Sequence, residues 1–287
     1  MLQELCPCLV VSLYPPSVII AAHGIGMFIF NEAIDLVSSP PGSFIYHIVA
    51  LFALEAGLAM ALGQYRRDRD SGFGRLALAA GLALLMRLSL AVLAGLGAAG
   101  VVYDDMLLPP IDRAVSLVTL MVLGWSLLSR DGDTWADGIL VGSLIVVTVG
   151  VVVALILWQP VGLLGSDFNN TPHDLLWAAP QVGVLLAFLT LLVVRRSEEW
   201  GMVLGFFVLP LLATLCHLWF ALREPVLSGH VSAFMRMSDL AMLPMFAVVV
   251  YRRVLRQAVV VVESYNTGDF IPLLESPVDP GLSPDLA

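Results

Sequence analysis

The chain contains no lysine, and charged side chains of either sign are scarce. All 14 basic residues are arginines, and charged residues make up 13% of the 287 positions, against about 25% in soluble domains. Apolar residues account for 59% of the sequence. A soluble fold of this length could not bury so much apolar surface, so the composition predicts an integral membrane protein.

Several classes of protein are excluded by what else is missing. Three cysteines provide no disulfide framework, and we expect Cys216, which lies within an apolar run, to serve packing. No basic patch with interleaved aromatic residues is present, so nucleic acid is not an expected partner. No phosphate-binding loop, zinc-protease or serine-hydrolase motif occurs on a suitable strand or loop. We therefore expect no enzymatic activity, no metal site and no cofactor.

Long apolar runs predict the fold class directly. A membrane-spanning helix needs roughly 20 apolar residues, and the sequence offers eight such runs. They lie at residues 16–37, 43–65, 73–101, 107–129, 135–158, 175–195, 199–222 and 232–252. The fold predicted from these runs is an all-α, polytopic transmembrane helix bundle with about eight spans.

The arginines indicate how these spans are oriented. They fall on alternate connections, with clusters at Arg66–Arg75, at Arg130, at Arg195–Arg196 and at Arg252–Arg256. Cationic loops are retained on the cytoplasmic side of a membrane, so both termini are predicted to be cytoplasmic. We assign residues 1–257 to the membrane domain. Residues 258–287 would form a cytoplasmic extension of the last helix and a disordered tail rich in Pro and Asp.

Two ionisable residues are predicted near the middle of neighbouring spans. Glu55 lies in the second span and Arg87 in the third, at similar depth. Because an unpaired charge inside a bilayer is costly, we expect the two side chains to form a buried ion pair. A structural pair that fixes helix packing and a titratable, functional pair both fit this pattern.

A second set of polar residues is predicted near the outer side of the membrane. Arg113 opens the fourth span, His217 lies in the outer part of the seventh, and Arg236 and Asp239 share one face of the eighth. These four side chains are candidate ligand-binding residues of an outward-facing polar cavity for a small, anionic or polar molecule. The alternative is that they are interfacial residues that extend to water.

Four segments resemble part of a family of bacterial sensor proteins. They are LPPIDRAVSLVTLMVLGWSLL at Leu108–Leu128, WADG at Trp135–Gly138, LCHLW at Leu215–Trp219 and VVVYRRVLRQ at Val248–Gln257. Together they resemble the N-terminal multi-pass membrane region of GAF-domain and histidine-kinase sensors. The resemblance implies a bundle of seven or eight helices that precedes a cytoplasmic output domain. No GAF domain or kinase motif follows Arg256, so the chain is either a fragment of a longer protein or a module that signals through a partner.

These observations favour a sensory or signal-transducing membrane domain without its own catalytic output, in the bacterial inner membrane. Its partners would be the lipid bilayer and a cytoplasmic signalling protein or domain reached through the eighth span. A homodimer is left open. Two alternatives compete with this interpretation: a small-solute transporter, and an accessory integral subunit of a larger membrane complex.

Overall fold

The computed structural model describes residues 32, 42–129, 132–195, 199–223 and 230–266. The described residues form seven α-helices and one short 3-10 helix, and contain no β-strand. The helices are α1 (Gly42–Asp68), α2 (Ser71–Ala98), α3 (Asp104–Leu128), α4 (Thr134–Gly162), α5 (Pro172–Arg195), α6 (Trp200–Arg223) and α7 (Ala233–Asn266), and the 3-10 helix is Phe168–Asn170.

Each of the seven helices is long and apolar enough to cross a membrane. They correspond to the second to eighth predicted spans, so the all-helical, multi-pass prediction is confirmed at this level. The first predicted span, residues 16–37, lies outside the described residues apart from Glu32. The eighth predicted span continues as α7 to Asn266, and the tail that follows is also outside the described part.

Short connections make successive helices antiparallel neighbours. Only Arg69 and Asp70 separate α1 from α2, and Arg69 adopts a positive φ of 56° to make the reversal. The Asp70 side chain then caps α2 by accepting a hydrogen bond from the Gly72 amide at 2.8 Å. Asp133 caps α4 in the same manner through the amide of Ala136.

Six helices close a ring, and the seventh lies outside it. The neighbouring pairs run α1–α2–α3–α5–α6–α7, and α7 returns to α1. Helix α4 packs against α3 alone among the described helices with extensive contacts. Burial follows this order: 78% of the most apolar stretch of α3 is buried inside the protein, against 11% for α4. Helix α3 is therefore the central helix of the bundle, and α4 is peripheral.

The two ends of the bundle differ in chemistry. We call the end that carries Asp68, Leu128 and Arg195 the arginine end, and the opposite end, where α1 begins, the Gly42 end. In the half nearer the arginine end the interior is apolar, with Phe206 packed edge-to-face on Phe207 at 5.0 Å between ring centroids. The polar interior side chains concentrate in the other half.

Close helix approach in the apolar half depends on two glycines. A Cβ at Gly124 of α3 would lie 2.3 Å from the ring of Phe188 on α5, and one at Gly57 of α1 would lie 2.8 Å from the ring of Phe246 on α7. Gly138 and Gly142, which we had noted only as small residues, have open space around them. Cys216 is exposed, so the expectation that it serves packing was wrong.

Candidate functional site

A continuous group of buried polar side chains occupies the half of the bundle nearer the Gly42 end. We call this group the polar network. Its members each expose 6% or less of their surface. They come from α1, α2, α3, α5, α6, α7 and the 3-10 helix: Tyr46, His47, Arg87, Asp112, Arg113, Ser116, Asn169, Asp174, His217, Arg236 and Asp239.

The first part of the network joins α1, α2 and α7. The guanidinium of Arg87 donates to Oδ2 of Asp239 at 2.7 Å and also hydrogen-bonds the hydroxyl of Tyr46. That hydroxyl in turn donates to Asp239 Oδ2 at 2.8 Å. A longer bond of 3.3 Å reaches from Arg87 to Ser116 on α3. Arg236 lies over the Tyr46 ring, 5.0 Å from its centroid.

The second part joins α3, α5 and α6 to the loop before α5. Asp174 accepts a hydrogen bond from Nε of Arg113 at 2.8 Å, and its other oxygen lies 2.6 Å from Nε2 of His217. Arg113 also donates to Asn169 at 2.7 Å. Asn169 then donates to the carbonyl oxygen of Val231, just before α7, at 2.9 Å.

Asp112 connects the two parts. Its Oδ2 lies 4.0 Å from a guanidinium nitrogen of Arg113 and 3.8 Å from one of Arg236. Both distances exceed ordinary hydrogen-bond length. The other oxygen of Asp112 is inaccessible and accepts no hydrogen bond from the described residues. The connection is therefore electrostatic and more loosely bonded than either part.

The formal charges within the network balance. Three arginines (Arg87, Arg113 and Arg236) face three aspartates (Asp112, Asp174 and Asp239). An isolated charge in a low-dielectric interior would be very costly, whereas a paired and hydrogen-bonded set is tolerated. Removing any one charged member would leave an uncompensated charge for the rest of the network to accommodate.

The four candidate ligand-binding residues all belong to this network. Arg113, His217, Arg236 and Asp239 are buried rather than extended toward water, which argues against the interfacial alternative. Arg236 and Asp239 both point inward from α7, as their spacing predicted. Ligand binding by the four stays a prediction.

The expected pairing of Glu55 with Arg87 is corrected by the structure. Arg87 binds Asp239 instead, a residue 152 positions away in sequence. Glu55 lies on an exposed face of α1. The two helices are neighbours, as predicted, but α1 turns Tyr46 and not Glu55 toward Arg87.

Sequence reasoning missed three hydrogen-bonding members of the network, Tyr46, Asn169 and Asp174. We had assigned Tyr46 to the membrane interface, where tyrosines are common, but it is 1% exposed. A usable signal existed for Asp174. It begins a predicted span on the same side as Asp112 and Arg113, so it shares their depth and could have been proposed as an arginine partner.

A second polar layer lies at the arginine end. Glu199, which precedes α6, accepts a hydrogen bond from Nε of Arg253 at 3.0 Å and lies 3.7 Å from a guanidinium nitrogen of Arg256. Arg253 also donates to the carbonyl oxygen of Leu127 on α3. Gln257 donates to Asp70 at 2.8 Å. Helix α7 is thus bonded to its neighbours at both layers.

The connection between α3 and α4 is held by α5 at this same end. Arg195 donates to Asp133 at 3.1 Å and to the carbonyl oxygen of Leu128 at 2.6 Å. The hydrogen bond from Arg195, assisted by the amide of Ala136, lowers the pKa of the Asp133 carboxyl below its usual value.

Within the described residues, no group of three or more His, Cys, Asp or Glu side chains is arranged to hold a metal ion. Comparison of the chain with protein-family models, with curated proteins and with solved structures gives no match. The roles of the residues above therefore rest on their chemistry and geometry.

Proposed function

We propose that this chain is a sensory or signal-transducing membrane domain that has no catalytic output of its own. It would span the bilayer eight times, with both termini in the cytoplasm and the arginine end on the cytoplasmic side. The distribution of arginines supports this orientation, because cationic loops are retained in the cytoplasm. The polar network would then lie in the outer half of the bacterial inner membrane.

The observation that carries the proposal is that one helix joins both polar layers. Helix α7 places Arg236 and Asp239 in the polar network and Arg253 and Gln257 in the layer at the arginine end. Its 34 residues extend about 51 Å at 1.5 Å per residue. The hydrocarbon core is about 30 Å thick, so α7 reaches well beyond it. A change in the network would therefore move a helix that projects toward a cytoplasmic partner.

The stimulus would act where the network is least tightly bonded. A small anionic or polar ligand that enters beside Asp112 would compete with its long contacts to Arg113 and Arg236. Arginines bind carboxylate and phosphate groups through paired hydrogen bonds. A ligand can shift a conformational equilibrium only by binding one arrangement better than the other, and exchange of partners at Asp112 supplies such a difference.

The test measures whether the two layers are coupled through α7. Cysteines replace Val194 on α5 and Val259 on α7, both exposed, in a chain whose three native cysteines are serines. Spin labels at the two sites report the distance between the helix ends by pulsed electron paramagnetic resonance. Tyr46→Phe removes the hydroxyl that bonds Arg87 and Asp239.

Tyr103→Phe is the matched control, because Tyr103 lies at the Gly42 end but is exposed and outside the network. We expect Tyr46→Phe to shift or broaden the distance distribution, and Tyr103→Phe to leave it unchanged. If Tyr46→Phe yields a folded protein with the parent distribution, the network is not coupled to α7 at the arginine end, and signal transduction by this route is refuted.

The exposure of α4 favours one alternative, an accessory subunit of a larger complex. Helix α4 is the most apolar span and the least buried one among the described helices. A partner subunit that packs on this face would co-purify in mild detergent and would be lost when Ile145 and Val149, both exposed, are replaced by Trp. Purification as a single chain would count against this function.

A further inference from the structure

Helix α1 carries an exposed carboxylate near the middle of the membrane. Glu55 lies thirteen residues after Gly42, the first residue of α1, which places it about 20 Å from that end at 1.5 Å per residue. It is exposed in the structure. A carboxylate that faces lipid at this depth is expensive, and such residues ordinarily face a polar partner or protein interior.

The residues around Glu55 form one continuous exposed face. They recur at the spacing of a helix face, every three or four positions. Its members are Ile45, Ile48, Val49, Phe52, Glu55, Ala56, Ala59 and Gly63. Small residues on a membrane helix permit another helix to approach closely, and they lie here beside the carboxylate.

The neighbours of α1 leave this face open. Helix α1 packs against α2 on one side and α7 on the other, and those contacts use its buried face, which includes Tyr46, Leu54 and Ala61. The exposed face therefore has no extensive contact with a described helix.

The chain itself offers an occupant for this face. Residues 16–37 are apolar enough to span the membrane, and only Ser38, Ser39, Pro40 and Pro41 separate them from α1. At about 3.5 Å per residue, so short a connection keeps the end of residues 16–37 within roughly 18 Å of Gly42. A helix tethered so closely can reach α1 but few other surfaces.

We propose that residues 16–37 pack antiparallel on the exposed face of α1 and place His23 beside Glu55. The proposal rests on the eight-span topology proposed above. His23 lies fourteen residues before position 37, about 21 Å from the same end, so its depth matches that of Glu55. An imidazole can donate a hydrogen bond to a carboxylate, and it pairs with it when protonated.

The matched depth predicts a complementary packing register. If His23 faces Glu55, then Ala22 faces Ala56, Ile19 faces Ala59, and Gly26 faces Phe52. Positions 19, 22, 23 and 26 share one helix face, as do positions 52, 55, 56 and 59. Large side chains meet small ones at two of these pairs, which permits close packing.

Disulfide cross-linking tests this register in the full chain, in native membranes. The native cysteines are replaced by serine, and cysteines are introduced as the pair Ala22→Cys and Ala56→Cys. After oxidation, mass spectrometry identifies the linked peptides, and a non-reducing gel separates monomers from dimers. The control pair is Ala22→Cys with Val149→Cys, because Val149 on α4 is exposed at a similar depth but lies on a helix remote from α1.

We expect an intrachain disulfide at least several-fold more abundant for the first pair than for the control. A dimer formed by Ala56→Cys alone would show that a second copy covers this face, and would overturn the proposal. Equal linkage in both pairs, or none in either, would also overturn it. If the first pair does not fold, Ile19→Cys with Ala59→Cys tests the same register. A failure here leaves the spin-label result, and with it the proposed signalling role, unaffected.

Discussion

The ion pair between Arg87 and Asp239 should be the most costly contact in the protein to break from one side. We consider Arg87→Met, Asp239→Asn and the double substitution. Asp239→Asn retains the shape of the side chain but removes its charge. Arg87→Met retains an unbranched apolar chain in the space of the arginine. Both residues are buried, at 1% and 4% exposure, so solvent cannot compensate for the lost partner.

The structure indicates the size of the effect. Loss of one partner of a buried pair leaves an uncompensated charge, which costs about 3–5 kcal/mol. For Asp239→Asn, the guanidinium of Arg87 retains the hydroxyl groups of Tyr46 and Ser116, so we expect a loss near the lower end of that range. Arg87→Met leaves Asp239 with the Tyr46 hydroxyl and should cost more. The double substitution removes both charges, and we expect it to be less destabilising than the sum of the two.

The assay is a double-mutant cycle on the purified protein in detergent, with unfolding followed by titration with a denaturing detergent. Arg67→Met and Asp68→Asn form the control pair, because their salt bridge of 3.1 Å has a half-exposed arginine, and exposed pairs contribute about 0–1 kcal/mol. A third cycle joins Arg87→Met to Glu55→Gln. The reasoning is refuted if Asp239 and Arg87 substitutions are additive, or if Glu55 rather than Asp239 couples to Arg87.

Two further predictions concern the helix contacts outside the network. Gly124→Ala should destabilise the protein by about 1–3 kcal/mol, because its Cβ would meet the ring of Phe188 at 2.3 Å; Gly138→Ala, which meets open space, should not, and equal thermal midpoints would contradict this. Asp133→Asn should lower the thermal midpoint at neutral pH. Because the contact with Arg195 lowers the pKa of Asp133 in the folded protein, its contribution is present above the unfolded pKa of about 3.9 and is lost as the pH falls through the lower folded value. The difference between Asp133→Asn and the parent protein should therefore shrink below about pH 4, and a difference independent of pH would exclude this origin.

The helices themselves could be predicted because hydrocarbon imposes a length and an apolar composition on each span. Helix α2 illustrates this: the predicted span 73–101 matches Ser71–Ala98 within a few residues. The connection at Arg69–Asp70 was equally legible, since a polar pair between two apolar runs leaves room for little except a tight reversal. The extension of α7 past the membrane was predicted in outline from its continuous sequence.

The depth of the polar residues was also predictable, because each span advances about 1.5 Å per residue from a recognisable end. This is why Arg113, His217, Arg236 and Asp239 could be assigned to one level before their contacts were known. Their burial in one network follows from that level together with the cost of leaving several charges in hydrocarbon without partners.

The partner of Arg87 could not be predicted, because depth does not specify the direction in which a side chain points from its helix. In a soluble helix the apolar stripe marks the buried face, but in α1 the faces toward lipid and toward α2 are both apolar. Glu55 had the right depth and lay on the right neighbour, yet α1 presents Tyr46 to Arg87 and turns Glu55 outward. The actual partner, Asp239, becomes adjacent only when the ring closes between α1 and α7. Ring closure depends on the packing of all six helices at once, and no local pattern in the sequence records it.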